Sequence, residues 1–202
     1  GFNTGANSIL AFTNTLLTPA VALATWMLLD YMRHRRITAI GAATAIVVGC
    51  VAITPAGGYI SPGWAMALGV VGAVPSYFIV AYRTRTRVDE TLDVLAAHGT
   101  AGLVGILFIG LVAQASWNGG LGDGLFYGDA NQFLWQLIAT IAAPAYAFVM
   151  TAATLKGIAA LTPLRATTEE EALGMDIAAH GEEAYPSGEG AILLAETAPA
   201  RE

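Results

Sequence analysis

The sequence predicts an all-α, polytopic membrane protein, and three observations carry that prediction. Hydrophobic residues make up 55% of the 202-residue chain and charged residues only 12%, about half the charge fraction of a typical soluble domain. The charges are also segregated, since residues 37–82 contain no Asp, Glu, Lys or Arg. That stretch is long enough for two spanning helices, and it contains its own break at Thr54-Pro55-Ala56-Gly57-Gly58 and Ser61-Pro62-Gly63.

Five spans follow from the apolar runs, at about residues 10–32, 37–56, 62–82, 89–115 and 131–161. The first begins near the polar patch Thr13-Asn14-Thr15 and contains Pro19. The third contains Pro75 and the fifth Pro144. Internal prolines argue against soluble helices, but neighbouring helices in a membrane bundle can satisfy the freed carbonyls. Residues 1–9 read as the end of an earlier helix or the loop after it, and the opening Gly1-Phe2-Asn3-Thr4-Gly5 reads as part of a longer chain. Gly, Ala, Ser and Thr are abundant throughout, as close helix contact in lipid requires.

Loop charge orients the bundle. Arg33, Arg35 and Arg36 follow the first span, and Arg83, Arg85 and Arg87 the third. The turn after the second span has no basic residue, and the loop after the fourth carries only Asp123 and Asp129. Arginine-rich loops stay in the cytoplasm. The expected placement is therefore a multi-pass protein of the inner (plasma) membrane with a cytoplasmic C-terminus. Trp64, Trp117, Tyr127 and Trp135 then fall near the outer ends, as an interfacial aromatic belt.

The chain divides by composition into a bundle, residues 1–162, and a tail, residues 163–202. The tail holds nine of the fifteen acidic residues against Arg165 and Arg201, so it carries −7 and the rest of the chain +1, which together give the net −6. Within it, Thr167-Thr168-Glu169-Glu170-Glu171 predicts a short capped helix. The last fifteen residues, rich in Gly, Ala, Pro and Glu, are expected to be disordered.

The fourth span is the richest in chemistry. Asp89 and Glu90 suit the positive end of a helix dipole. Counted from the expected start, Asp93 lies one turn in and His98 nearly three, close to the bilayer midplane. An ionisable residue at that depth faces the interior or a water-filled path, so His98 is a candidate pore-lining residue. The alternative is a neutral core histidine bonded to a neighbouring helix. His34, among arginines, reads as solvent-exposed, and Cys50 as a small packing residue. Three scattered histidines and one cysteine close no metal site within the chain. There is no nucleophile–base pair, no phosphate-binding glycine loop and no sustained basic patch. The sequence therefore points away from an enzyme, a bound cofactor or a nucleic-acid partner.

Five motifs then align in order: Gly1-Phe2-Asn3-Thr4-Gly5; Thr13-Asn14-Thr15; the run from Val51 through Thr54-Pro55-Ala56-Gly57-Gly58 to Tyr59; Asp89…Asp93-Val94…His98-Gly99…Gly102; and Gly174-Met175-Asp176…His180-Gly181-Glu182…Ala184-Tyr185. Together they resemble the second half of the ammonium transporter family (the Amt/Mep/Rh group). The resemblance implies the last five helices, plus the end of the sixth, of an eleven-helix fold that assembles as a homotrimer with one narrow hydrophobic pore per subunit. It maps the second of the family's two mid-pore histidines to His98. The first falls on a helix outside this chain. It maps one gate phenylalanine to Phe2 and groups Asp93 and Thr54 with the pore. A serine of the outer recruiting site falls at Ala6, a departure that removes a hydroxyl there. In the tail, Asp176, His180, Gly181, Glu182 and Tyr185 keep a regulatory pattern. The implied partners are ammonium or ammonia, membrane lipid, two further subunits and a small trimeric PII-type signalling protein at the cytoplasmic exits. Two other readings compete with transport of ammonium: an ammonium sensor on the same bundle, and an unrelated proton-coupled carrier using Asp93 and His98.

Overall fold

A computed structural model of the chain describes residues 5–83, 85–86, 90 and 92–184. Every regular element among them is helical. Two compact units are distinguished, Gly1–Ala145 and Tyr146–Glu202. The division lies inside a helix, whereas the change in composition falls near residue 163. One boundary follows contacts between residues and the other follows charge.

Helix α1 spans Ala6–His34 and α2 spans Ala39–Ile53. Residues 6–9 thus belong to α1 itself rather than to a preceding element. Gly5 is extended at the N-cap, and only at Arg35, with φ of 55°, does the backbone turn left-handed and return its N–H to the Tyr31 carbonyl. Thr38 caps α2, its hydroxyl accepting from the Gly41 N–H at 3.0 Å. At 15 residues, α2 is shorter than the roughly 20 that a bilayer core requires. Its α-helical ladder stops before Thr54-Pro55, where proline has no N–H to continue it. The chain then descends through successive turns (Ala56 N–H to Ile53, Tyr59 N–H to Ala56).

Helix α3, Pro62–Arg83, opens on a proline, which suits the first helical position because that N–H has no partner anyway. The fourth span differs most from expectation. A π-helical turn, Leu95–Thr100, leads into α4, Ala101–Val112. The helix therefore starts at 95 rather than 89 and stops at 112 rather than 115. The cause is Asp93, whose φ of 51° is a left-handed conformation that helices do not propagate. Asp93 precedes the helix instead of lying one turn inside it. His98 lies in its first turn, not its third.

A short α5, Ala115–Asn118, and a 3₁₀ turn at Leu125–Tyr127 lead to α6, Ala130–Ala159. Among the described residues, four helices are long and apolar enough to cross a membrane: α1, α3, the Leu95–Val112 helix and α6.

In the first unit, α1 crosses α2 and α3 at glycines. A methyl group on Gly49 would collide with the backbone of Pro19, and one on Gly69 would lie 2.7 Å from the Thr18 carbonyl. Such crossings maximise dispersion contact where lipid supplies no hydrophobic drive. The core beneath them holds Trp26, Val48, Ile53, Leu68, Tyr77 and Phe108, and Trp26 meets Tyr77 edge-on at 5.1 Å. Buried polar groups on α1 are spent on neighbouring backbone: Thr18 donates to the Ala65 carbonyl at 2.8 Å.

In the second unit, α7, Thr168–Leu173, carries the predicted capping box. Thr167 Oγ1 accepts from the Glu170 N–H, and the Glu170 carboxylate accepts from the Thr167 N–H. Helix α8, Met175–His180, follows after Gly174 at φ of 99°. The expectation of disorder falls on residues outside those described.

Candidate functional site

Two cavities divide the candidate residues between them. The first is a groove of about 390 Å³ lined by Val51, Thr54, Pro55, His98, Gly102 and Ile106. Its two walls are the end of α2 and the start of the fourth span. They meet at Gly105, where a side chain would strike the Ala52 carbonyl and Pro55, so glycine sets how closely the walls approach. His98 and Thr54 both line this groove and are exposed.

The backbone around His98 is unusual. His98 is the fourth residue of the π-helical turn, and the Thr100 hydroxyl donates to the Leu95 carbonyl five residues back at 3.2 Å. Such turns are rare and concentrate at functional sites. This one is prepared from outside the helix. The Glu90 carboxylate accepts from the Leu95 N–H. Asp93 is pinned by Arg83, whose Nε donates to its Oδ1 at 2.6 Å. The pair is about four-fifths buried on both sides, which strengthens it relative to a surface ion pair. The sequence analysis used Arg83 only as a loop charge that orients the bundle and did not pair it with Asp93; its place at the end of an apolar run, ten residues before Asp93, was the available signal.

Asp93 therefore does not line the groove beside His98. It lines a second cavity of about 430 Å³, together with Asp30, Arg33, His34, Tyr77 and Arg85. Asp30 is buried, and the Thr38 hydroxyl donates to it at 3.4 Å. This cavity gathers the arginine-bearing ends of α1 and α3 with the start of the fourth span, a mixed-charge chamber distinct from the apolar groove.

Ala6 belongs to the lining of neither cavity. Ala6 is the first residue of α1 and exposed. Phe2 and Tyr185 lie outside the described residues. In the tail, Asp176 is the second residue of α8, and its Oδ2 accepts from the Ala184 N–H at 3.0 Å. That hydrogen bond, then the Ile177 N–H and the nearby His180, hold its carboxyl below the usual carboxylate value. His180 ends α8, and Gly181, at φ of 73°, turns the chain and returns its N–H to the Ile177 carbonyl. Glycine is required there because the left-handed region is costly for other residues. Glu182 follows, exposed.

Comparison with known proteins bears on what these sites do. A model of the Ammonium Transporter Family matches residues 1–185. An ammonium transporter of Bacillus subtilis (strain 168) is 37% identical over 192 residues, covering 92% of this chain and 48% of that protein. The chain spans about half the length of the curated relatives it matches. Among solved structures, Mep2 from Candida albicans superposes with a TM-score of 0.78 at 31% identity, covering 89% of this chain and 41% of that one. A structure described as a sensor Amt protein superposes with a TM-score of 0.76 at 26% identity, over 87% and 43%.

Proposed function

The chain belongs to the ammonium transporter family and is a membrane protein, and from that premise we propose that it forms one side of a transmembrane path for ammonium and ammonia, with His98 on its wall. The observation that supports this most is the groove itself. An apolar trough carries one exposed imidazole, placed by a π-turn between two close-packed helices. Bringing ammonium into such a trough costs its hydration. Neutral ammonia enters at far lower cost, with His98 and the Thr54 hydroxyl offering hydrogen bonds and the imidazole a route for the released proton. Potassium carries the same charge but has no proton to shed, so an apolar path rejects it without a size filter.

Phe2 serves as a gate residue in this reading. Ammonium is recruited outside it by aromatic faces, with Ala6 giving no hydroxyl contact. Asp93, clamped by Arg83, belongs to the cytoplasmic mouth rather than the mid-path. The assembly is a homotrimer in the plasma membrane. The tail from residue 163, with Asp176, His180, Gly181, Glu182 and Tyr185, lies in the cytoplasm, where it regulates the exits and meets a PII-type partner. No step of this reading is enzymatic or needs a cofactor.

The test is methylammonium uptake into liposomes by the full-length protein. We expect uptake to proceed without potassium competing, and His98→Ala to abolish it or lose the selectivity. Unchanged flux and selectivity in His98→Ala would remove His98 from the path. The likeness to the sensor protein favours a second reading, in which the same bundle binds ammonium and reports it. Binding without flux in the intact protein would select that reading.

A further inference from the structure

One polar motif of α1 is absorbed by neither cavity. Asn14 has no exposed surface. Its Nδ2 donates twice, to the Gly57 carbonyl at 2.8 Å and to the Ile60 carbonyl at 2.9 Å. Both acceptors belong to the turn, residues 54–61, that joins α2 to α3. The orientation of the amide follows from chemistry, because the opposite flip would set Oδ1 against two carbonyl oxygens. The same turn is held elsewhere as well. The Gln114 N–H donates to the Tyr59 carbonyl at 3.0 Å. Gly58 lies so close to Asn7 that a methyl group there would come within 2.6 Å of Asn7 Oδ1.

The first two residues of this turn are Thr54 and Pro55, which line the groove that holds His98. Gly57 and Ile60 are buried, and in a membrane no solvent stands ready to replace a lost donor. We propose that Asn14 is a positioning residue for the path: its forked amide seats the α2–α3 turn, and through it sets where Thr54 and Pro55 stand relative to His98. The site is remote in sequence, 43 and 46 residues from its acceptors, and neither Asn14 nor its two acceptors line the groove. The effect on flux rests on the transport reading above; the seating of the turn does not.

Two readouts in the full-length protein separate these layers. The first is methylammonium uptake, resolved into KM and Vmax. The second, independent of flux, is the rate at which a thiol reagent labels Thr54→Cys in a Cys50→Ala background. Asn14→Leu removes both donors and Asn14→Ser keeps one. Thr18→Val is the control, since it removes the bond from the same helix to the Ala65 carbonyl but leaves the turn alone. We expect Asn14→Leu to lower Vmax on the order of tenfold or more, as a small displacement of a reacting wall can, and to change Thr54→Cys labelling several-fold. Asn14→Ser should be intermediate, and Thr18→Val should match wild type in both. If Asn14→Leu does not fold, Asn14→Ser decides. Wild-type labelling and Vmax in a folded Asn14 variant would overturn the proposal. Equal losses in Thr18→Val would do so too, by showing that the effect tracks general stability. Should the wild type take up no methylammonium, the transport reading fails, and the labelling alone decides whether Asn14 seats the turn.

Discussion

The helix bundle of the first unit and the α7–α8 segment of the second are built by different means. In the bundle, polar side chains serve distant backbone: Thr18 reaches Ala65, and Asn14 reaches Gly57 and Ile60, 43 to 47 residues on. In α7–α8 the bonds are local. Thr167 and Glu170 cap each other three residues apart, and Asp176 closes on Ala184 eight residues on. The bundle stands by contact between helices, where any added atom is felt. The short helices stand by capping, where each bond contributes modestly and exposure to water softens its loss.

The sharpest way to break this contrast is to enlarge a crossing. Gly105→Leu places a side chain against the Ala52 carbonyl and Pro55. It should destabilise the bundle by about 3 kcal/mol, the upper range for overpacking, and disrupt the groove. A thermal melt in detergent measures the first effect and methylammonium flux the second. Wild-type melting would show that the walls are looser than the structure places them. Next in size is Asp93→Asn, which leaves Arg83 with a neutral partner. A loss of about 2 kcal/mol is expected for a hydrogen bond between charged groups. Amide exchange across Leu95–Thr100 should rise if the pair holds the π-turn, and should stay flat if Glu90 suffices.

The capping box offers the local counterpart. Thr167→Ala should cost α7 about 1 kcal/mol, read as faster amide exchange confined to that helix, with flux and bundle melting unchanged. The smallest effect expected is that of Asp176. Its folded pKa is held below the ordinary carboxylate value. Its contribution is therefore fully present above the unfolded value and is lost as pH falls through the lower, folded value. Exchange protection of α8 should decline only in acid, and Asp176→Asn should remove that pH dependence.

The same contrast explains how much could be read in advance. The α7 start was legible because a Thr-x-x-Glu spacing is a complete local instruction. The apolar runs announced five spans, since hydropathy is summed along the chain; among the described residues four helices are long and apolar enough to cross a membrane, and the second, Ala39–Ile53, is shorter. The fourth span was misplaced because Asp89-Glu90 looks like a helix start, and nothing in the linear order shows that Asp93 turns left-handed against Arg83. Asn14 was visible as a polar residue in an apolar run, but its acceptors were not.

The linear order of residues alone, then, settled the helical class, the acid-rich composition of the tail and, through five ordered motifs, the family. Each of these depends on residue types and spacing along one dimension. Only the tertiary structure decided that His98 and Thr54 share an apolar groove while Asp93 joins a separate charged chamber. It also decided that His98 rides on a π-turn and that Asn14 holds the turn between α2 and α3. The reason is physical: these outcomes depend on how closely helices cross, which glycines permit, and on buried donors finding acceptors dozens of residues away, which no local pattern encodes.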